Sequence, residues 1–127
     1  MKRRGRKPPT AEQQRHQDAQ RAHGCAMCLL LELDESCGPV RIHHRTVGDL
    51  HGNPRLGQDF TVALGDWHHQ GVLFEGQTVD SMRRRFGPSF HHHKKAFLRE
   101  LFDRLGQRST AALQDWQDSR ITWRKAA

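Results

Sequence analysis

Apolar and polar residues alternate in two short stretches of this chain; elsewhere they recur at helical spacing or with no period at all. Val40-Arg41-Ile42 alternates like a half-buried strand and delivers His43-His44 at its end, and Phe60 to Leu64 alternates again as the returning strand. Residues 45–59 between them carry Gly48, Gly52, Asn53, Pro54 and Gly57, which predict a loop. Gly65 and Asp66 then introduce a short helix bearing Trp67-His68-His69, with Asp66 as its N-cap. Thr78 or Asp80 opens a helix through Arg85 that Gly87-Pro88 closes. Ser89 opens another, with Phe97, Leu98, Leu101, Phe102 and Leu105 on its apolar side, ended by Gly106; Ser109 or Thr110 starts a last helix toward Trp123.

The amino-terminal segment lacks such a pattern. Thr10 and Gln13 have capping-box spacing for a helix over 11–23, yet Ala11, Ala19 and Ala22 are its only apolar positions. A helix polar all round is solvated, marginal or held by something else. Seven basic residues against two acidic ones among the first 24 favour a DNA-tracking arm over a plain tail. The expected organisation is a basic arm and polar helix over 1–23, then an α+β domain over 24–127 with carboxy-terminal helices from about 78.

Composition sharpens this picture. Only 35% of the residues are hydrophobic and the mean hydropathy is −0.87, so the core is small and a stabilising metal is a physical expectation. The 21 Lys+Arg against 14 Asp+Glu give a net charge of +7, which favours polyanions. The longest apolar run, Ala26 to Leu31, is far too short to span a membrane, and the basic start lacks the apolar region of a signal peptide; a cytoplasmic protein with no membrane partner is expected. Three cysteines suit metal ligation better than a disulfide framework. Seven of the ten histidines fall in three runs, His43-His44, His68-His69 and His91-His92-His93.

A Cys-x-x-Cys turn lets two thiolates meet one ion, so Cys25 and Cys28 are candidate ligands of a structural zinc, the alternative being two small buried residues. His68 is the third candidate, and Cys37 is either the fourth ligand or a core cysteine. At a strand end, His43 paired with His69 from the following helix holds a second cation with few protein ligands, which leaves positions for phosphate and water. Imidazole is a ligand for Zn, Ni, Fe or Cu, so the histidines alone do not specify the metal; a divalent ion, Mg²⁺, Mn²⁺ or Zn²⁺, is expected at this site. His44 is the candidate general base, since a free imidazole titrates near ~6.5. One histidine pair alone reads as ordinary surface or capping residues; two pairs downstream of Cys-x-x-Cys favour the metal site.

Cys-x-x-Cys, then His-His at a strand end, then a strand leading into Leu64-x-x-Trp67-His68-His69-Gln70 resembles the HNH endonucleases of phages. It looks closest to the recombination enhancement function family, RecA-dependent nucleases, and residues 5–12 also resemble a stretch just upstream of that family's nuclease domain. The resemblance covers roughly residues 5–71. It implies a ββα-metal fold and hydrolysis of DNA to a 3′-hydroxyl and a 5′-phosphate. His43 and His69 become metal ligands, His44 the base, and Cys25, Cys28 and His68 structural zinc ligands. It also implies a phage or prophage origin and a RecA-type recombinase filament as partner. The chain departs from the family in two places. Gly65 stands where the pattern has a cysteine, so the zinc has three protein ligands, recruits Cys37, or is absent. The middle asparagine is missing, with Asp59 the nearest polar residue before the second strand.

For DNA binding the candidates are Arg3, Arg4, Arg6 and Lys7 in the arm and Arg83, Arg84 and Arg85, which clamp phosphates or form a solvated face. His91-His92-His93 reads as part of an amphipathic helix, a basic patch from which His93 approaches the catalytic metal in the sharper alternative. The rival to an endonuclease is a non-catalytic, zinc-containing nucleic-acid-binding module.

Overall fold

The computed structural model describes residues 7–121. Arg3, Arg4, Arg6 and the end of the last predicted helix lie outside the described residues. Six α-helices and two strands follow in order: α1 (Ala11–His23), α2 (Ala26–Leu30), β1 (Val40–His44), β2 (Thr61–Gly65), α3 (Asp66–Gln70), α4 (Val79–Phe86), α5 (Lys94–Leu105) and α6 (Thr110–Asp118). β1 and β2 pair antiparallel, with Val40 opposite Gly65 and His44 opposite Thr61. The chain is thus a small α+β protein with a strand–strand–helix centre. Among the described residues no helix is long and apolar enough to cross a membrane.

A two-stranded sheet is marginal alone. Here β2 is buried along its whole length, and α1, α2, α3 and α6 all pack on it. Among the described residues, its edge away from β1 has no third strand. Gln20 of α1 donates from Nε2 to the Thr61 carbonyl at 2.7 Å and accepts from the Thr61 hydroxyl at 2.8 Å. Gln117 of α6 accepts from the Ala63 amide at 2.9 Å and donates to the Gly24 carbonyl. Buried backbone groups need partners, and glutamine side chains supply both the donor and the acceptor that this edge requires.

This is what holds the polar helix α1. Its buried residues are His16, Gln17 and Gln20, and Asp118 of α6 receives both His16 Nε2 at 2.8 Å and Gln20 Nε2 at 3.0 Å. α1 therefore belongs to the same packed body as the rest and is not a detached arm. Trp67, Phe86, Phe97, Met27, Leu64, Met82, Leu101 and Leu113 form the core, with the Trp67 indole donating to the Gly87 carbonyl.

Three local expectations change and one open choice is decided. Gly65, not Asp66, is the N-cap of α3; Asp66 is its first helical residue and pairs with Arg41 at 3.0 Å. Thr78 opens α4 with a full capping box, which settles the choice against Asp80. α5 begins at Lys94 and not after Ser89, because the Ser89 hydroxyl accepts from the His91 and His92 amides and its carbonyl accepts from His93, closing a turn. The three histidines thus precede the helix. Phe102, expected on the packed side of α5, is 46% exposed under Arg108.

Candidate metal centre and catalytic cleft

Cys25 caps the short helix α2, its sulfur accepting from the Cys28 amide, so the Cys-x-x-Cys turn aims both sulfurs the same way. Cys37 arrives from the segment before β1, and His68 from α3. The ligand atoms of Cys25, Cys28, Cys37 and His68 lie within 4.8 Å of one another, and all four residues are buried. His68 Nδ1 sits 3.4 Å from Cys25 Sγ and 3.5 Å from Cys28 Sγ, and Cys37 Sγ is 3.8 Å from Cys25 Sγ. A zinc tetrahedron with bonds of about 2.3 Å to sulfur and 2.0 Å to nitrogen has edges of about 3.8 Å and 3.5 Å. The spacing fits. So does the tautomer, since His68 Nε2 lies 2.7 Å from the Phe86 carbonyl. A carbonyl only accepts, so Nε2 carries the hydrogen and Nδ1 presents its lone pair to the sulfurs.

Cys37 is therefore a member of the cluster, and Gly65 is its counterpart. A Cβ at Gly65 would lie 2.4 Å from Cys37 Sγ, while its φ of −71° demands no glycine. The glycine is there for space: the Cys37 sulfur fills the volume a cysteine at 65 would need. Three crowded thiols cannot ionise together without a cation. Burial pushes Cys25 well up, with bonds to Cys28 and Cys37 adding to it. For Cys28 the bond with Cys25 pulls down, but the bond with Cys37 and burial outweigh it, and the thiol is pushed up to about 12. Hydrogen bonds from Cys25 and then Cys28 hold Cys37 far below the usual thiol range. The three buried thiols thus resist ionising together, and a metal ion would draw off their protons.

On the other side of α3 lies a second set. His43, buried at the end of β1, meets His69 edge-on with ring centroids 5.0 Å apart and Phe90 at 5.2 Å. Burial lowers the His43 pKa to about 3, with the charges of His69, His44, Arg45 and Arg55 adding to it. Burial also lowers His69, against the opposing pull of Asp66. Both rings are kept neutral, as metal-ligating imidazoles must be. His69 Nδ1 is buried with no hydrogen-bond partner among the described residues, a cost that a bound cation or water would relieve. A cleft of about 380 Å³, lined by His43, His44, His51, Asn53, Arg55 and His69 among others, opens above the pair. It adjoins a cavity of about 560 Å³ that His43, His69, Phe90, His91 and Lys94 help to line.

His44, the next residue on the strand, lines the same cleft as His43. Its Nε2 lies 3.3 Å from Gln58 Oε1. The Gln58 amide is pinned at both ends: Nε2 donates to the Lys7 carbonyl at 2.9 Å, and Oε1 accepts from Gln17 Nε2, which also donates to the Gln58 carbonyl. An oxygen facing His44 requires the hydrogen on His44 Nε2, so Nδ1 is the basic nitrogen. Gln58 is thus a polar residue before β2 that contacts the candidate base.

The structure brings together His43, His44 and His69, and separately Cys25, Cys28, Cys37 and His68. Lys7 lines a cavity with His44 and Arg55. Arg83, Arg84 and Arg85 line none of these clefts; Arg85 is paired with Glu35 and lies over the Phe74 and Phe86 rings. Of the histidine run, His91 and not His93 lines the metal-side cavity, since His93 Nδ1 accepts from the Ser89 amide. Sequence reasoning missed Arg55, His51, His91 and the Gln17–Gln58 relay, for which no spacing rule exists. Comparison with protein-family models, curated proteins and solved structures finds no match to this chain.

Proposed function

We propose that the protein is a metal-dependent endonuclease of the HNH type that hydrolyses DNA phosphodiester bonds, with a structural zinc at Cys25, Cys28, Cys37 and His68. The observation that carries this reading is the meeting of His43, from the end of β1, with His69, from the helix after β2, beside His44 and under an open cleft. A divalent cation, Mg²⁺, Mn²⁺ or Zn²⁺, would supply Lewis-acid stabilisation of the charge developing on the phosphate. His43 and His69 would hold it with two neutral imidazole nitrogens. His44 Nδ1 takes a proton from the attacking water, while Gln58 fixes the tautomer. Cleavage leaves a 3′-hydroxyl and a 5′-phosphate. The cytoplasmic setting, phage origin and RecA-type filament as partner rest on composition and family resemblance.

One observation favours the rival, a non-catalytic zinc module: the thiolate centre has four ligands and the histidine centre two. Cleavage of supercoiled plasmid and single-stranded DNA in Mg²⁺, Mn²⁺ or Zn²⁺ separates them. The nuclease reading expects metal-dependent cutting that His44→Ala lowers by about 10²–10⁴-fold. A folded wild-type protein that cuts nothing in any of the three metals contradicts it.

A further inference from the structure

Beyond His44, on the side away from His43 and His69, a cavity of about 370 Å³ is bounded by Lys7, Pro8, Thr10 and Gln13 at the start of α1 and by Arg55, Gly57 and Gln58 of the loop before β2. His44 and Arg55 line both this cavity and the cleft over the histidine pair, so the two are adjacent across them. We propose that this cavity is a subsite for one nucleotide unit of single-stranded DNA flanking the scissile phosphate, with its phosphate held by Arg55 and Lys7. The proposal rests on the nuclease reading for the neighbouring cleft, though the binding it describes does not require cleavage.

Charge, size and hydrogen-bond bookkeeping support it. None of the residues lining the cavity is acidic, and two are cations, which is the balance a phosphodiester needs. The volume is at the lower end of small-ligand sites of about 300–1,000 Å³ and suits one nucleotide. A duplex, whose major groove alone is about 12 Å wide, cannot enter it. The polar side chains that could read a base edge are committed elsewhere. Thr10 and Gln13 bond each other's backbone in the capping box, and the Gln58 amide is shared among Lys7, Gln17 and His44. The Pro8 side chain is apolar, and Gly57 has none. The subsite therefore registers phosphate and strand width, not base identity, the division expected when backbone contacts position and base contacts specify.

The test is fluorescence anisotropy of the full chain, without added divalent ion, against labelled dT10, dC10 and dA10 and a ten-base-pair duplex. The expected result is single strands bound about tenfold tighter than duplex, and within about threefold of one another. Arg55→Ala should weaken dT10 binding about five- to tenfold and lower the slope of log K against log salt by about 0.7; Lys7→Ala should act in the same direction, and Arg84→Ala should do neither. Duplex bound as tightly as single strands, or an Arg55→Ala protein of unchanged circular dichroism that binds dT10 like wild type, overturns the subsite. The two readings fail separately. Plasmid cutting with Arg55→Ala binding unaltered removes the subsite alone, and the expected binding without cutting in any metal removes the nuclease alone.

Discussion

The two sides of α3 carry different kinds of centre, although consecutive residues, His68 and His69, supply them. His68 enters a closed, buried set of four ligands whose second nitrogen is tied to the Phe86 carbonyl. His69 enters an open set of two, with a buried nitrogen that has no partner among the described residues and a cleft above it. A site with every position filled by protein suits structure; one with positions left over suits chemistry. One helical step thus separates the closed four-residue cluster from the open pair to which the proposed function assigns the catalytic metal.

The largest effect should come from breaking the closed centre. Cys37→Ala removes a ligand and should lower the melting temperature by on the order of 15 °C. Gly65→Cys alone should also destabilise, because its Cβ meets Cys37 Sγ. The double variant Cys37→Ala/Gly65→Cys should regain most of the loss, as a thiolate from β2 replaces one from the segment before β1. Calorimetry of the three proteins with their metal content decides it. Equal melting of Cys37→Ala and wild type would put Cys37 in the core and not at a metal.

On the open side, Gln58→Leu should lower kcat by about 10–100-fold and raise KM far less, through the lost bond to the Lys7 carbonyl, with metal content unchanged, because it frees the His44 tautomer without touching the metal ligands. A matched loss of KM and kcat, or of bound metal, would assign Gln58 to binding or to fold. Away from both centres, Gln20→Leu strands the Thr61 carbonyl and hydroxyl and should cost about 1–3 kcal/mol in denaturant unfolding, with metal content intact. At neutral pH the smallest effect is that of His43, which emerges only as the pH falls. His43 stays neutral down to about 3, whereas an unfolded imidazole protonates near ~6.5. Between those values the unfolded chain binds the extra proton, so stability is full above ~6.5 and falls as the pH is lowered toward 3, by at most about 1.4 kcal/mol per pH unit. His43→Asn should flatten the slope by up to that amount; an unchanged slope would mean that His43 is not held neutral.

Much of the frame was legible in the sequence because period-2 alternation marked β1 and β2, and Thr10, Gly87 and Gly106 marked helix ends. Cys25, Cys28 and His68 were legible from Cys-x-x-Cys and a histidine pair, whereas Cys37, with no spacing to mark it, stayed open between ligand and core. What was hidden depends on side chain–backbone bonds, which leave no periodic trace. Gln20 and Gln117 act as a missing third strand, yet in sequence they read as solvated polar positions. Ser89 spends its hydroxyl and carbonyl on a turn, so it caps no helix, and the histidine run falls outside α5. Gln58 reaches His44 only because Gln17 and Lys7 fix its amide. Arg85 lies beside Glu35, 50 positions away in sequence, a pairing that a run of three arginines does not reveal.

The division of labour between the two centres is tested most directly by metal stoichiometry. Zinc and manganese are counted together by mass spectrometry after dialysis against excess Mn²⁺, for wild type, His69→Ala and Cys28→Ser. The account predicts one retained zinc and one exchangeable manganese per wild-type chain, loss of manganese alone in His69→Ala, and loss of zinc in Cys28→Ser. A single metal per wild-type chain, or zinc lost on removing His69, would contradict it.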